Sequence, residues 1–450
     1  MTVGGIMQMQ RRLVMSHKVL LADPAVLQRA KLQLSSYPTF ADKRHHFIKT
    51  IQYNQEWRMN RCINLVAAEG PLSPMARSLL SGDLCIRTAG GHIGAKQRYF
   101  AATHWIDEME AYTYESLKSL FQCQFCDFRL IGGTQACHVV YSLLTKPGDT
   151  VIAVMPEQGG DSSHSEQSMP GLLQLNVVPM PFLEDNLSID LKRLEQLVYQ
   201  HHPSLISLGL SVSLFELPLQ TIQTIAHQHG ARVFYDAAHE LGLIAGGCFA
   251  NPFLQKIDVV SGSTGKTFSG PQGGLLLWND QTLNAHFSSL IFPGFVGTYQ
   301  LNRVAALGLT ALEFLEYGHA YMSQVIKNAQ ALAQSLDAYG LTVWAKSKGF
   351  TQSHQVLLDM TAYAGGWGAI RRLERCDIIG NPVFIPGAAS TLPTGLRLAT
   401  TEMTRRGMKE SEMKIIANLI ARALCTDESS SQIAHDSNKL ASLFQEIHYC

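Results

Sequence analysis

The sequence has little that points to membranes, nucleic acids or an oxidising compartment. No apolar run approaches the roughly 18 residues that a membrane span needs. The 36 Lys and Arg residues balance the 36 Asp and Glu residues, which gives no electrostatic reason to expect a nucleic acid or an anionic membrane as partner. Arg11, Arg12 and Lys18 are not followed by a continuous apolar segment, so no secretory signal is expected. Nine cysteines, an odd number spread through the chain, favour reduced thiols in the cytoplasm over a disulfide framework.

A further absence concerns metals. Cys123 and Cys126 form a lone CxxC pattern with no second pair, and a structural zinc site needs about four ligands. Neither a zinc site nor a redox site is therefore expected, and no internal repeat or low-complexity block is present.

The chain instead shows the alternating strand and helix patterns of an α/β protein. Between about residues 61 and 290, short buried-strand patterns alternate with amphipathic helix patterns such as Leu191–Gln200 and Leu219–His229. This alternation predicts a mostly parallel sheet with both faces covered by helices. The strand patterns are Val151–Val154, Leu205–Leu208, Arg232–Tyr235 and Leu275–Trp278. In such sheets ligands bind beyond the carboxyl ends of the strands.

Four segments are expected along the chain. Residues 1–60 are interpreted as a helical arm, and residues 61–315 as the large domain. Residues 316–425 are expected to form a smaller α+β domain, because a long helical pattern is followed by the strand patterns Val356–Asp359 and Leu396–Leu398. Residues 426–450 are interpreted as a tail.

One lysine stands at the end of a strand pattern, in the stretch Ile257–Gly274. An apolar, β-branched run leads into Ser263 and Thr264, then Lys266, and turns through Gly270 and Pro271. Partial burial of such a lysine lowers its pKa and makes it a nucleophile towards an aldehyde. A phosphate-binding P-loop is excluded, because Val260 stands where the motif needs its first glycine and Gly270-Pro271 would break the helix that must follow.

Three other positions could serve the same site. Asp236 follows a strand directly, where it could pair with a protonated ring nitrogen, although a helix N-cap aspartate looks the same. Gly133 and Thr134 open a helix pattern and could bind a phosphate, although an ordinary strand-to-helix turn that binds no ligand shows the same pattern. Arg397 could hold a carboxylate through two hydrogen bonds, or be an ordinary ion-pair arginine.

Together these patterns resemble serine hydroxymethyltransferase and its relatives, which are fold-type I enzymes that use pyridoxal phosphate (PLP). The resemblance runs from about Asn64 to Leu424. It is carried by Asn64–Glu69, Arg98–Phe100, Ile106–Glu110, Gly133–Ala136, Asp236–His239, Thr264–Thr267, Gly270–Gly274 and Thr404–Gly407.

The resemblance implies a role for each matching residue. Lys266 would carry PLP as a Schiff base, Asp236 would pair with the pyridine nitrogen, and His239 would lie near the phenolic oxygen of the ring. Arg397 would bind the carboxylate of an α-amino acid, with Tyr99 also at the substrate. His239, Tyr99 and Glu69 are the candidates for proton transfer. The other implied cofactor contacts are Gly133, Thr134, Gln158, Ser211, Ser263, Thr264, Gly297 and Thr298, of which Gly297 and Thr298 would reach the neighbouring subunit of a homodimer or a dimer of dimers.

The sequence also departs from the family pattern. Gln158-Gly159-Gly160-Asp161 stands where the family has a His-Gly-Gly-His run, Gly265 where it has a histidine, and Gln272 where it has an arginine. Thr88–His92 contains no glutamate, the residue that the family associates with folate. Folate use is therefore open, and no metal is expected.

Three functions remain open from the sequence. The first is an aldol-type enzyme like serine hydroxymethyltransferase, acting on a glycine-, serine- or threonine-like amino acid with an aldehyde or a one-carbon unit. The second is a folate-independent threonine aldolase or transaldolase of specialised metabolism. The third is a catalytically impaired relative that binds PLP and regulates.

Overall fold

The structure is a computed structural model, and it describes residues 22–450 apart from residues 184–186, 389 and 391. The chain divides into two compact units after Asn60. Helices α1 (Pro24–Ser36) and α2 (Phe40–Glu56) belong to the first unit. Thr39 and Asp42 form a capping box that fixes the start of α2. The predicted helical arm covers these helices, and the part of it before residue 22 lies outside the described residues.

In the part of the second unit that the structure describes, the strands form three sheets, on which the helices pack. Its strands are β1 (Ile63–Asn64), β2 (Phe125–Asp127), β3 (Thr150–Ala153), β4 (Asn176–Pro179), β5 (Leu205–Gly209), β6 (Arg232–Asp236), β7 (Val259–Ser263), β8 (Gly274–Trp278), β9 (Gln355–Asp359), β10 (Ile378–Ile379), β11 (Asn381–Val383) and β12 (Gly395–Ala399). Its helices are α3 (Pro74–Leu79), α4 (His104–Phe121), α5 (Gly133–Leu144), α6 (Met169–Leu172), α7 (Leu191–His201), α8 (Leu219–Gln228), α9 (Leu241–Ala245), α10 (Gln281–Ser289), α11 (Leu301–Ala338), α12 (Gly365–Glu374), α13 (Thr401–Arg405), α14 (Glu410–Cys425) and α15 (Ser430–Ser442).

The largest sheet has seven strands in the order β2-β8-β7-β6-β5-β3-β4. Neighbours from β7 to β4 are parallel, whereas β8 is antiparallel to both β2 and β7. Every residue of β5 and of β8 is buried, as expected for strands that are covered on both faces. The predicted α/β class with a mostly parallel sheet is confirmed.

A second apolar core lies around the smaller sheets. Strands β11, β12 and β9 form an antiparallel sheet, and β1 pairs with β10. Ile63 and Leu65 share this core with side chains from Ala329 onward, including Ile433 and Leu440 of α15. The core of the large sheet, in contrast, ends along α11 at Val325. The residue bounds of the predicted domains stay a prediction.

Within the part of the chain that the structure describes, no helix is both long enough and apolar enough to cross a membrane.

Candidate functional site

The carboxyl ends of three parallel strands bring the predicted residues together. β5 ends at Gly209, β6 ends at Asp236, and these two residues are register partners. β7 ends at Ser263, three residues before Lys266. Because parallel strands end at the same edge of a sheet, Asp236 and Lys266 share one edge although the chain separates them by a helix. We call Lys266, Asp236, His239 and Arg397 the strand-end cluster.

Lys266 lies in a loop that is held by backbone hydrogen bonds. The N–H of Gly70 donates to the carbonyl of Gly265 at 3.0 Å, and the N–H of Ser269 donates to the carbonyl of Lys266 at 2.9 Å. Burial lowers the pKa of Lys266 below its ordinary value, although the charges of Asp236 and Asp161 act in the opposite direction. A lysine in this state has a larger neutral fraction, which is the nucleophilic form.

Asp236 is a buried carboxylate with a hydrogen bond at each oxygen. Nε2 of His164 lies 3.1 Å from Oδ2, and the thiol of Cys137 donates to Oδ2 at 3.2 Å. The hydroxyl of Ser261 donates to Oδ1 at 2.7 Å. Burial alone would raise the pKa of Asp236, but the hydrogen bonds from His164 and Ser261 and the charge of Lys266 lower it overall. Asp236 is therefore ionised at neutral pH and able to hold a protonated ring nitrogen.

Cys137, His164 and Asp236 place three possible metal-ligand atoms within 4.8 Å of one another. Burial raises the pKa of Cys137 well above its ordinary value, and its thiol donates a hydrogen bond to Asp236. The geometry fits a hydrogen-bond network that orients Asp236.

Arg397 lies on the central strand β12 of the small sheet and is almost completely buried. Its Nη1 donates to the carbonyl of Ser211 and to the hydroxyl of Ser211, the latter at 3.0 Å, and its Nε donates to Oδ1 of Asn381 at 3.3 Å. Burial lowers the pKa of Arg397 to about 10, with Asp161 acting in the opposite direction. Arg397 has no salt bridge to any residue that the structure describes. This guanidinium is therefore a suitable partner for the carboxylate of a ligand.

His239 and His354 stack beside Arg397. Their ring centroids lie 5.7 Å apart with the planes 18° from parallel, and Nη1 of Arg397 is 3.4 Å from Nε2 of His239. Burial, together with the charges of Lys266 and Arg397, lowers the pKa of His239 well below its ordinary value and that of His354 to about 3. Both rings are neutral at pH 7, so each can accept a proton only when a ligand compensates its burial.

The helix α5 begins at the predicted phosphate-binding turn. A Cβ added to Gly133 would lie 3.4 Å from the Cβ of Ser263, so these two residues form adjoining walls of the turn. Thr134 is exposed at the first turn of α5. Thr264 is fully buried, and its hydroxyl donates to the carbonyls of Pro271 and Gly273. The hydroxyl of Thr264 therefore holds the lysine loop in shape.

For Gln158, Glu69 and Tyr99 the structure gives contacts with other parts of the chain. The side-chain amide of Gln158 donates to the carbonyl of Met180 at 2.7 Å and accepts from the N–H of Met155 at 3.0 Å. Glu69 accepts from the amide of Asn64 at 2.7 Å. The side chain of Tyr99 is 72% exposed. The roles predicted for these three residues stay predictions.

Tyr99 shares an exposed surface with two other predicted residues. Its backbone N–H donates to the carbonyl of Gly90 at 3.0 Å, and a Cβ on Gly90 would lie 3.7 Å from the carbonyl oxygen of Gly297. Gly297 and Thr298 are both exposed. Tyr99, Gly297 and Thr298 form one surface, which we call the Tyr99 surface.

Four residues near the strand-end cluster were not predicted from the sequence. His164 is fully buried against Asp236, and Asp161 acts on the pKa values of Lys266 and Arg397. Glu240 is buried next to His239, and burial raises its pKa to about 7. His354 is the fourth. A signal was present for two of them, since Asp161 is the last residue of the run Gln158–Asp161 that departs from the family pattern, and Glu240 directly follows Asp236–His239.

The comparisons with known proteins agree with this geometry. The sequence model of the family described as serine hydroxymethyltransferase matches residues 41–420. The chain is 37% identical over 408 residues to serine hydroxymethyltransferase from Methanopyrus kandleri, covering 90% of this chain and 94% of the relative. It is 36% identical to the protein of that name from Pyrococcus horikoshii, covering 92% of this chain and 97% of the relative.

A solved structure has the same fold. The crystal structure of L-threonine transaldolase from Pseudomonas fluorescens superposes with a TM-score of 0.84 at 24% identity, covering 94% of this chain and 95% of that chain. At this identity the likeness concerns the fold. The family match and the curated relatives confirm the resemblance found in the sequence, including its fold type and its dependence on PLP. The chain belongs to the serine hydroxymethyltransferase family.

Proposed function

We propose that this protein uses PLP to form or break the Cα–Cβ bond of a glycine-, serine- or threonine-like α-amino acid, with an aldehyde or a one-carbon unit as the second reactant. The observation that carries the proposal is the strand-end cluster. It combines a lysine of lowered pKa, an ionised aspartate and a buried arginine without a salt bridge among the described residues. A protein that serves only as an interaction partner has no need of all three, which argues against the regulatory alternative.

The residues of the cluster fit PLP. Nδ1 of His239 is buried and makes no hydrogen bond of standard geometry to the described residues, although the backbone of Ala67 acts on the same ring, so a ligand oxygen can supply a better partner. Lys266 would hold the aldehyde carbon, Asp236 the ring nitrogen, and Gly133 with Ser263 the phosphate at the start of α5. When bound, PLP supplies an electron sink for negative charge that develops at Cα.

The residues of this chain determine which bond reacts. Arg397 would bind the carboxylate of the amino acid and so fix the orientation of the three other substituents on Cα. The neutral fraction of Lys266, which its lowered pKa enlarges, and the neutral ring of His239 can accept a proton, and Glu69 and Tyr99 remain further candidates. Because Arg397 and the lysine loop belong to different sheets, the orientation of the substrate depends on how tightly these elements pack.

A folate-independent transaldolase is the second candidate. The segment Thr88–His92 presents no carboxylate, and the ring of His92 packs edge-on against Phe292 with centroids 5.8 Å apart. An aldol reaction between an amino acid and an aldehyde needs no folate, so this segment does not count against it.

We also propose that two copies of the chain share their sites, as a homodimer or a dimer of dimers. The Tyr99 surface supports this, since it presents residues predicted for the site on an exposed face of the chain. Arg98 is held by Asp107 at 2.7 Å and by Glu110, which fixes the segment that presents Tyr99. The cytoplasm stays the predicted compartment, supported by nine cysteines that are all free.

The test uses the visible absorbance of the bound cofactor. We expect purified protein to be coloured, borohydride to attach the cofactor to Lys266, and glycine, serine or threonine to shift the absorbance. Lys266→Ala should lose the borohydride attachment and reduce turnover roughly a thousandfold or more. Lys256→Ala, which removes an exposed lysine, is the matched control. Each amino acid is tested with and without folate, to separate the two candidate functions. A colourless protein, or one whose absorbance no amino acid shifts, would refute the proposal.

A further inference from the structure

A cavity of about 260 Å³ opens beside Arg397. Its polar walls are Asp161, Ser162, Ser211 and Asn381, and its apolar walls include Val212 and Phe384. Ser211 and Asn381 are also the residues to which Arg397 donates hydrogen bonds. The cavity therefore begins next to the group that would bind the carboxylate of the amino acid. Its size suits a substituent of about one ring.

Asp161 is held at the boundary between this cavity and the strand-end cluster. Its backbone N–H donates to the carbonyl of Gly209 at 3.2 Å, which fixes it at the edge of the large sheet. Its Oδ1 accepts from the N–H and the hydroxyl of Ser163, at 2.9 and 2.6 Å. Its charge raises the pKa values of Lys266 and Arg397 against the effect of burial. Asp161 therefore lines the cavity and also acts on the strand-end cluster.

The charge of Asp161 has a consequence when an amino acid is bound. Without substrate, Asp161 compensates part of the positive charge of Arg397. A substrate carboxylate on Arg397 takes over that compensation, because it would pair directly with the guanidinium. Asp161 is the one ionisable side chain among the described residues that line the cavity. The part of its negative charge that Arg397 no longer balances then faces the cavity, and leaving charge unbalanced at a partly buried site is unfavourable.

We infer that this cavity binds the substituent of the acceptor aldehyde, and that Asp161 selects a substituent that carries a positive charge on an apolar body. The inference rests on the proposed function. In the reaction, Cα of glycine loses a proton and bonds to the aldehyde carbon, and the aldehyde oxygen takes up a proton. The product is a β-hydroxy-α-amino acid, and no further reactant is needed. With threonine as donor, acetaldehyde leaves first.

The test uses two aldehydes of the same shape and different charge. 4-(Trimethylammonio)benzaldehyde is positively charged, and 4-tert-butylbenzaldehyde is its neutral counterpart. With glycine or threonine as donor, we expect wild-type kcat/KM to favour the charged aldehyde by about tenfold. Asp161→Asn should abolish this preference. Glu157→Gln removes the same charge from an exposed position of the same loop, outside the cavity walls, and should keep the preference.

A second variant tests the same cavity with the opposite charge. Ser162 is an exposed residue of the cavity wall, so Ser162→Lys should fold and should shift the preference towards 4-carboxybenzaldehyde. Binding of benzyltrimethylammonium in the presence of glycine, measured by calorimetry, gives a readout that does not depend on turnover, and it should weaken in Asp161→Asn.

The possible failures are distinguishable. If an amino acid shifts the absorbance of wild type and of Asp161→Asn, but the two proteins discriminate equally between the two aldehydes, the inference is overturned and the proposed function stands. If no amino acid shifts the absorbance of wild type, the proposed function itself is refuted.

Discussion

At the scale of single residues, protonation of the stacked rings of His239 and His354 is electrostatically unfavourable. Both lie in a buried region that already contains Lys266 and Arg397, so protonating either ring would add a third positive charge. Nδ1 of His354 has no hydrogen-bond partner among the described residues. These two neutral rings therefore make the folded protein sensitive to acid.

We expect His354→Phe to reduce the loss of stability at low pH. The pKa of His354 is about 3 in the folded protein and 6.5 ordinarily. Between these values the unfolded chain binds a proton that the folded chain does not, so the free energy of unfolding falls as the pH drops below 6.5 and is fully recovered above it. The wild type should lose about 1 kcal/mol more than the variant between pH 7.5 and 5.5, measured by urea unfolding.

Glu240 also changes the stability of the protein with pH and must be separated from the effect of His354. Its pKa is raised from 4.5 to about 7, so its contribution to stability is present below pH 4.5 and is lost as the pH rises through 7, the reverse of the histidine effect. The informative quantity is therefore the difference between wild type and variant, with the exposed His201→Gln as control. Equal losses in wild type and His354→Phe would contradict the prediction.

At the scale of elements, the carboxyl end of β5 is shaped to admit the ring of His164. A Cβ on Gly209 would lie 2.0 Å from Nε2 of His164. Nδ1 of the same ring lies 2.9 Å from the hydroxyl of Ser207 and 3.1 Å from that of Tyr141. The strand end, the ring and the carboxylate of Asp236 are thus one packed unit.

We expect Gly209→Ala to displace His164 from Asp236. Such overpacking should lower the free energy of unfolding by about 2 kcal/mol, and it should also weaken PLP binding, because Asp236 loses a hydrogen bond that lowers its pKa. Thermal unfolding and a PLP titration measure the two effects. Gly82→Ala is the control, since its Cβ would meet only one described atom within 4 Å, at 3.7 Å. Unchanged PLP affinity in Gly209→Ala would show that His164 does not support Asp236.

Helix α11 continues through a glycine, as its sequence pattern predicts. The sequence predicts one long helical stretch over residues 300–339, made of Leu301–Leu315 followed by Met322–Leu336, and the structure has one helix over Leu301–Ala338. Gly318 lies in the interval, where a glycine inside a helix usually costs about 1 kcal/mol. The chain at Gly246 packs closely here, since a Cβ on Gly246 would lie 2.6 Å from the carbonyl of Gly318. Buried side chains such as Phe314 and Met322 lie on both sides of the glycine.

At the scale of the whole molecule, the proposal of shared sites depends on the Tyr99 surface. Lys266 and Thr298 would act in the same site only when they come from different chains. This can be tested by mixing two inactive variants, because the outcome depends on which chain supplies each residue.

We expect activity to return when Lys266→Ala and Thr298→Glu proteins are unfolded together and refolded. Random pairing gives mixed dimers in which one site has both native residues, so about a quarter of the wild-type activity should appear. Each variant refolded alone is the control. If Lys266 and Thr298 served the same chain's site, the mixture would stay inactive.

The sequence by itself determined the family, the fold class, the dependence on PLP and the positions of Lys266, Asp236 and Arg397. It could do so because Lys266 and Asp236 each follow or end a strand pattern, and Arg397 stands on a short strand pattern, and only a few neighbouring residues define such patterns. For the same reason, the predicted bounds of β3, β5, β6, β8, β9 and β12 differ from the observed bounds by no more than one residue at either end.

Tertiary structure alone decided what surrounds those residues. His164 and Asp236 are 72 positions apart, and Arg397 and Ser211 are 186 apart, so no local pattern links them. Whether a hydroxyl such as that of Thr264 faces a ligand or a backbone carbonyl depends on how the loop closes. Burial likewise decides that His239 and His354 are neutral, because desolvation acts only once distant segments of the chain have packed around them.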